Sequence, residues 1–220
     1  MILFENEACM VINKRIGEAS ESPGITDATM PNGSKLIPVH RLDMPVSGCL
    51  LLAKTKEALA FLNSIFADRR VEKRYWAIIE KPAEHAPLLP EHGELIHHIQ
   101  FNAAKNKSFA YEDGGEDRKK AVMRYRVAGS GTNYLFMEID LETGRHHQIR
   151  AQLAAIGLHI KGDLKYGARR SEKAGGIRLH AHSLSFPDPL DPDHPITVQA
   201  LPHLMDPLWT AFAEAVGKIM

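Results

Sequence analysis

The sequence predicts an α+β fold dominated by antiparallel sheet. Three observations carry this. Between residues 94 and 141 the segments "ELIHHIQF", "SFAYE", "KKAVMRYRV" and "NYLFMEIDL" follow one another with only Gly, Asn and Asp turn signals between them. Helical periodicity is confined to a few segments, which do not alternate with strands as they would in a doubly wound sheet. Within "AVMRYRV", Ala121, Met123, Tyr125 and Val127 alternate with Val122, Arg124 and Arg126, as expected of a sheet with one buried and one basic face.

The elements follow in order. "CMVINK" (9–14) reads as a first strand, and 17–35, rich in Gly, Ser, Thr and Pro, as a long loop. In "VHRLDMPVSGCLLLAKT" (39–55) the run Cys49 to Ala53 reads as a buried strand. Ahead of it, His40, Arg41 and Asp43 surround one leucine, and Pro45 and Gly48 bend the chain. "KEALAFLNSIFADRR" (56–70) sets Leu59, Leu62, Ile65 and Phe66 at helical spacing, and "EKRYWAIIE" (72–80) reads as a strand before a proline-rich connection. "TGRHHQIRAQLAAIG" (143–157) reads as a loop entering a helix, with Thr143 as N-cap, Gly157 as its stop and Ile149, Leu153 and Ile156 as its core stripe. "IRLHAHSLSF" and "ITVQAL" are two further strands, and "PLWTAFAEAVGKI" is a closing helix.

Composition sets the class. The 220 residues are 44% hydrophobic and 25% charged, ordinary for a soluble globular chain. Cys9 and Cys49 lie in apolar stretches and suit reduced, buried thiols. No segment reads as a signal peptide or membrane span, so a cytoplasmic protein is expected. The 27 basic and 27 acidic side chains cancel, which argues against non-specific coating of nucleic acid. Basic residues nevertheless bunch at 69–74, 118–126 and 161–170. Any one bunch is most simply a solvated face; several together favour an RNA or phosphate-bearing partner.

Four segments combine polar groups with special backbone: "HRLD" (40–43), "KRYWA" (73–77), "TGRHHQIR" (143–150) and "HIKGDLKYG" (159–167). Each also has a structural reading. Asp43 suits a turn paired with Arg41, Tyr75 a strand core, and Arg145 and Arg150 a helix surface. A basic pair near a helix N-terminus is electrostatically poor unless an anion sits there. Twelve histidines include the adjacent His146 and His147 and the alternating His180 and His182. No zinc, phosphate-loop, dinucleotide or serine-hydrolase motif accompanies them.

These blocks, read in order as "HRLDMPVSGCLLLAKT", "EKRYWAII", "LETGRHHQIRAQLAAIGLHIKGDLKYG" and "LHAHSLSF", resemble the RluA-type pseudouridine synthases from residue 9 to about 200. The resemblance implies the pseudouridine synthase fold, a mixed, mainly antiparallel central sheet in two subdomains with a catalytic cleft between them. It implies isomerisation of a uridine in ribosomal or transfer RNA, with no cofactor and no metal. Carried over residue by residue, Asp43 matches the catalytic aspartate, Tyr75 the active-site tyrosine and Arg150 the arginine that pairs with the aspartate. Substrate contact falls to His40, Arg41, Arg145, His147, Gln148, Lys161 and Lys165. Two positions depart from the family pattern: Val46 stands where threonine is usual, and Arg15 replaces a proline after the first strand. A single catalytic domain over 1–220, without an S4 RNA-binding module and acting as a monomer, is the expected organisation.

The chemistry fits those residue types. Pseudouridine formation breaks the N-glycosidic bond, turns the base and joins C5 to the same ribose carbon. No atoms enter or leave, so redox and group-transfer cofactors have no task. An ionised oxygen must attack the nucleoside or take a proton from its sugar. Burial raises the pKa of an aspartate and an opposing arginine lowers it, which is a reason to pair Arg150 with Asp43. Two other readings are an inactive RNA-binding module of the same fold, which predicts loss of Asp43, Tyr75 or Arg150, and a His-based metal hydrolase, which predicts carboxylates near the His pairs.

Overall fold

The computed structural model describes residues 1–21, 35–82 and 89–217. The chain runs through β1 (Ile2–Glu5), β2 (Cys9–Lys14), β3 (Ile37–Pro38), β4 (Ser47–Ala53), α1 (Lys56–Ala67) and β5 (Glu72–Glu80). It continues with β6 (His92–Asn102), β7 (Lys107–Tyr111), β8 (Lys119–Ser130), β9 (Tyr134–Leu141), α2 (Gln148–Ala155) and β10 (His159–Ile160). A short 3-10 turn (Leu164–Tyr166), β11 (Leu179–Pro187), β12 (Pro195–Gln199) and α3 (Pro207–Gly217) complete it. Strands therefore dominate, with three α-helices among the described residues, and the fold is α+β. The strand β1 lies outside every segment that the sequence pattern marks. The expected loop at 17–35 and the proline-rich connection fall largely at 22–34 and 83–88, outside the described residues.

Two compact units emerge, Met1–Arg74 with His180–His203, and Tyr75–Leu179 with Leu204–Met220. In the first, β4 is central and every residue of it is buried, as its unbroken apolar run requires. It pairs antiparallel with β2, from Cys9↔Ala53 to Lys14↔Gly48, and parallel with β11 at His180↔Ser47 and Ala181↔Gly48. That parallel pair makes the sheet mixed. Gly48 has φ +116°, and a Cβ there would run into the Ala181 backbone, so only glycine allows this approach. Thr55 caps α1 by accepting from the Ala58 amide at 3.1 Å. Leu62 and Ile65 then pack on Cys49, Leu51 and Ala53, with Leu184 and Phe186 from β11. Cys9 and Cys49 are buried free thiols, and burial pushes both up to about 12, so they stay protonated.

The second unit orders its strands β5-β9-β8-β6-β7, with β10 on β5. α3 packs Trp209, Phe212 and Val216 on Trp76, Ile78, Ala128 and Phe136. In β8, Ala121, Met123 and Tyr125 are buried as predicted, but Val122 is buried too, and the alternation breaks again beyond Arg126. A register shift between Val127 and Gly129 turns Ala128 inward in place of Val127. The expected basic face is also neutralised. Arg124 pairs with Glu94 and Glu142, and Arg126 with Glu138.

Helix α2 begins later than Thr143. Its N-cap is His147, in the left-handed region at φ 52°. Thr143 instead locks the preceding loop to β8, accepting from the Val122 amide at 2.9 Å and donating to Gln148 Oε1 at 2.8 Å. The far end follows expectation. The Gly157 amide (φ +74°) bonds the Ala154 carbonyl and the Leu158 amide bonds that of Leu153, a Schellman closure. Ile149 and Leu153 are buried, but Ile156 is the C-cap and lies exposed, so it leaves the core stripe.

Candidate active site

Asp43 belongs to the first unit. Its loop is fixed from three directions. The Ser20 hydroxyl accepts from the Leu42 amide at 3.0 Å and donates to the Leu42 carbonyl at 2.8 Å. The Val46 amide closes a turn on the Asp43 carbonyl at 2.9 Å. Gly17, at the turn that follows Arg15, donates to the Met44 carbonyl at 2.8 Å. Beneath the loop lies Lys14, whose side chain is wholly buried. Its Nζ donates to the carbonyls of Arg15, Glu18 and Met44 at 3.0, 2.9 and 3.4 Å. Burial pushes the Lys14 ammonium down to about 8, while Glu18 and Asp43 act to hold its proton. Lys14 and Asp43 thus attract one another through the loop. Neither Lys14 nor Ser20 was legible as part of this loop, since each acts through backbone groups distant in sequence.

His40 and Arg41 flank the same loop. His40 Nε2 accepts the Leu51 amide at 3.1 Å, and its ring stacks on Phe66 at 5.3 Å. Burial, with Lys73 adding, pushes its pKa down to about 4, so the ring is neutral. The ring bolts the start of the loop to β4. Arg41 is exposed and faces Glu21 at 3.6 Å. Val46, at a departure from the family pattern, is buried.

The second unit carries Tyr75 and Arg150. Tyr75 lies on β5 and is buried. Arg150, on α2, is 5% exposed and grips Asp163 with two hydrogen bonds, Nε to Oδ2 at 2.6 Å and Nη2 to Oδ1 at 2.8 Å. Its guanidinium also stands 4.8 Å from the centre of the Tyr166 ring. The Tyr166 hydroxyl is held by Ser108 and by His147 Nδ1. His147 stacks on His146 at 3.8 Å, and His146 meets Phe101 at 4.3 Å. The partnership of Arg150 with Asp163 had no sequence signal, because the two lie thirteen positions apart across a helix end and a turn.

Three further residues expected at the substrate make contacts within the protein. Gln148 is buried; its Oε1 accepts from Thr143 and the Arg145 amide and its Nε2 donates to the Val122 carbonyl, so its amide ties the loop together. Lys161 is ion-paired with Glu172, which also receives Arg178 at 2.8 Å. Burial works to raise the Glu172 carboxyl, yet Arg178 and Lys161 hold it down, to about 2. Lys165 donates to the Asn106 carbonyl at 2.9 Å while Lys107 donates to the Lys165 carbonyl at 2.6 Å, which stitches the β6–β7 turn to the 3-10 turn. Arg145 is exposed, with Nε on the Lys120 carbonyl at 3.1 Å.

Of the second histidine pair, His180 is built into the core. His180 is wholly buried, with Nδ1 accepting from the Ser47 hydroxyl at 2.8 Å and Nε2 donating to the Ala200 carbonyl at 3.0 Å. Burial pushes its pKa down to about 3. Among the described residues no group of three His, Cys, Asp or Glu side chains is arranged to hold a metal.

The RNA pseudouridylate synthase family profile matches residues 10–155. An uncharacterised RNA pseudouridine synthase of Zymomonas mobilis is 32% identical over 196 residues, 84% of this chain and 86% of that protein. The ribosomal large subunit pseudouridine synthase D of the same organism is 34% identical over 205 residues, 84% of this chain but only 60% of that protein's length. In fold, the human RNA pseudouridylate synthase domain containing 4 superposes with a TM-score of 0.74, covering 98% of this chain and 92% of that one at 23% identity. The chain belongs to the RNA pseudouridylate synthase family, a family of isomerases. No helix among the described residues is long and apolar enough to cross a membrane.

Proposed function

We propose that this protein converts a uridine of ribosomal or transfer RNA to pseudouridine, with Asp43 as the reacting carboxylate. The observation that carries the reading is the construction around Asp43: a loop clamped by Ser20 and His40 over a buried lysine whose charge attracts the anion. A turn aspartate with only a local role would not need a wholly buried cation beneath it. The base must leave its stack to reach such a carboxylate, so base flipping accompanies the reaction. The bond from N1 to C1′ breaks, the base turns, C5 joins C1′, and the C5 proton is lost as N1 gains one. Tyr75 offers an aromatic face to the uracil and a hydroxyl near its reacting edge. Arg150 is the basic residue of the reaction in this reading. Arg41 and Arg145, both exposed, are suited to backbone phosphate. The balance of atoms calls for no cofactor. The protein works as a cytoplasmic monomer in this reading.

The test is to map pseudouridines in cellular RNA with and without the gene, then repeat the conversion with purified protein on the RNA so identified. A site that disappears with the gene and returns with wild-type protein, but not with Asp43→Asn, supports the reading. Unchanged pseudouridine maps together with an inactive purified protein would overturn it.

A further inference from the structure

The pair between Arg150 and Asp163 is unusual in its completeness. Both side chains are almost fully buried, 5% and 1% exposed. The carboxylate covers the edge of the guanidinium formed by Nε and Nη2, and both contacts are short. The Tyr166 ring packs against the cation, and Tyr166 is itself fixed through its hydroxyl to both backbone groups of Ser108. Two side chains, one on its edge and one on its face, therefore restrain this guanidinium.

Asp163 is itself rigidly placed. Its amide donates to the Ile160 carbonyl at 3.0 Å, and its carbonyl receives the amides of Tyr166 and Ala168, both at 3.0 Å. Gly162 precedes it at φ +91°, where an added Cβ would come within 2.8 Å of Glu172 Cβ. The turn that carries Asp163 is thus closed by its own backbone and by the Glu172 network. Burying a second full charge is costly, and a hydrophobic contact would serve stability as well. A guanidinium that must meet a developing charge at a fixed position gives that cost a purpose.

We propose that Asp163 is a positioning residue for the isomerisation: with Tyr166 it fixes the orientation in which the Arg150 guanidinium acts. This rests on the role of Arg150 proposed above. Asp163 does not touch substrate; its effect passes wholly through Arg150.

Two substitutions separate position from charge. Asp163→Glu keeps the negative charge but moves the carboxylate outward by one methylene. Asp163→Asn keeps the shape but loses the charge. Single-turnover rates, RNA affinity, pH profiles and thermal unfolding are measured for both, for Arg150→Ala, and for Arg150→Ala combined with Asp163→Asn. Asp163→Glu is expected to fold, to bind RNA within about twofold of wild type, and to lose at least about tenfold in rate, because a displacement of about an ångström at a positioned group costs that much or more. Its pH profile should stay in place. In the Arg150→Ala background, Asp163→Asn should lower the rate no further. Arg150→Ala should itself lose turnover and move its profile to higher pH. If it keeps both, the role given to Arg150 fails, and the positioning proposal with it. If Arg150→Ala loses turnover while Asp163→Glu retains the full rate, Arg150 matters and Asp163 does not position it. Independent, multiplying losses in the double variant would also overturn the proposal.

Discussion

Gly48 and Ala181 meet so closely that a single methyl group on Gly48 would collide with backbone: the Ala181 amide nitrogen and carbonyl carbon lie 2.6 and 2.7 Å from its position, and the carbonyl oxygen nearer still. No rotamer change can relieve this, since the obstacle is main chain. Gly48→Ala must therefore separate β4 from β11 or abandon φ +116°. We expect a loss of about 3 kcal/mol from strain and overpacking combined. Urea unfolding measures it. A change below about 1 kcal/mol would mean that this strand pair is far more pliant than its geometry implies.

Asp43→Asn tests the chemistry. The amide retains size and hydrogen bonding but cannot be an anion. The rate should fall by roughly 10³-fold or more, while RNA affinity and the unfolding midpoint stay near wild type. Quantitative pseudouridine assay under single turnover is the measurement. An Asp43→Asn protein working at near wild-type rate would remove Asp43 from the mechanism.

Acid should unfold this protein through its buried imidazoles. His180 and His40 have folded-state values lowered to about 3 and about 4, against an ordinary 6.5. Below pH 6.5 the unfolded chain binds protons that the native state refuses. The stability they contribute is complete above that value and is lost as pH falls toward about 4 and then about 3. The slope is up to about 1.4 kcal/mol per pH unit for each ring. Replacing His180 by Gln should lower stability at about pH 7, because Ser47 and Ala200 lose a shaped partner, yet flatten the decline between about pH 6 and pH 4. Urea midpoints across that range decide it; an unchanged slope would show that His180 does not govern acid sensitivity.

Lys161 and Arg170 separate a scaffold cation from a candidate phosphate contact. Lys161 shares the Glu172 carboxylate with Arg178 and is only 17% exposed at its side chain. Arg170 is exposed. Lys161→Gln should lower stability by about 1–2 kcal/mol and leave the salt dependence of RNA binding intact. Arg170→Gln should do the reverse, flattening the salt slope by about one unit at most. Affinity titrations at several salt concentrations distinguish the two, and a flattened slope for Lys161→Gln would place that residue on the RNA.

What the sequence made legible was whatever repeats locally. The strands β4 to β9 announce themselves by runs or alternation, α1 by its spacing, and the end of α2 by Gly157. Asp43 was legible as an odd carboxylate ahead of a buried strand. What stayed hidden depended on contacts between distant residues. Lys14 reads as the last residue of a strand until its ammonium is found under Met44. Asp163 reads as one more acid in a basic stretch until it closes on Arg150. Thr143 has the right chemistry for a cap, and only the position of Val122 shows that it bonds β8 and Gln148 instead. The basic face of β8 was misjudged because cross-strand carboxylates cannot be assigned without a register.

The parallel pair between β4 and β11 also sets a clock. Ser47 and His180 are joined by side chains and by strand pairing, yet they lie 133 residues apart. A ribosome adding about 5–20 residues per second leaves β4 waiting on the order of ten seconds for its partner. Throughout that time β4 has only β2 and the short β3 as strand partners among the described residues, with strand edge still open to other nascent chains. Slow codons or a cold shock between residues 54 and 179 would lengthen the wait, so yield in the cell should respond to translation speed and to chaperone supply more sharply than equilibrium stability alone would suggest.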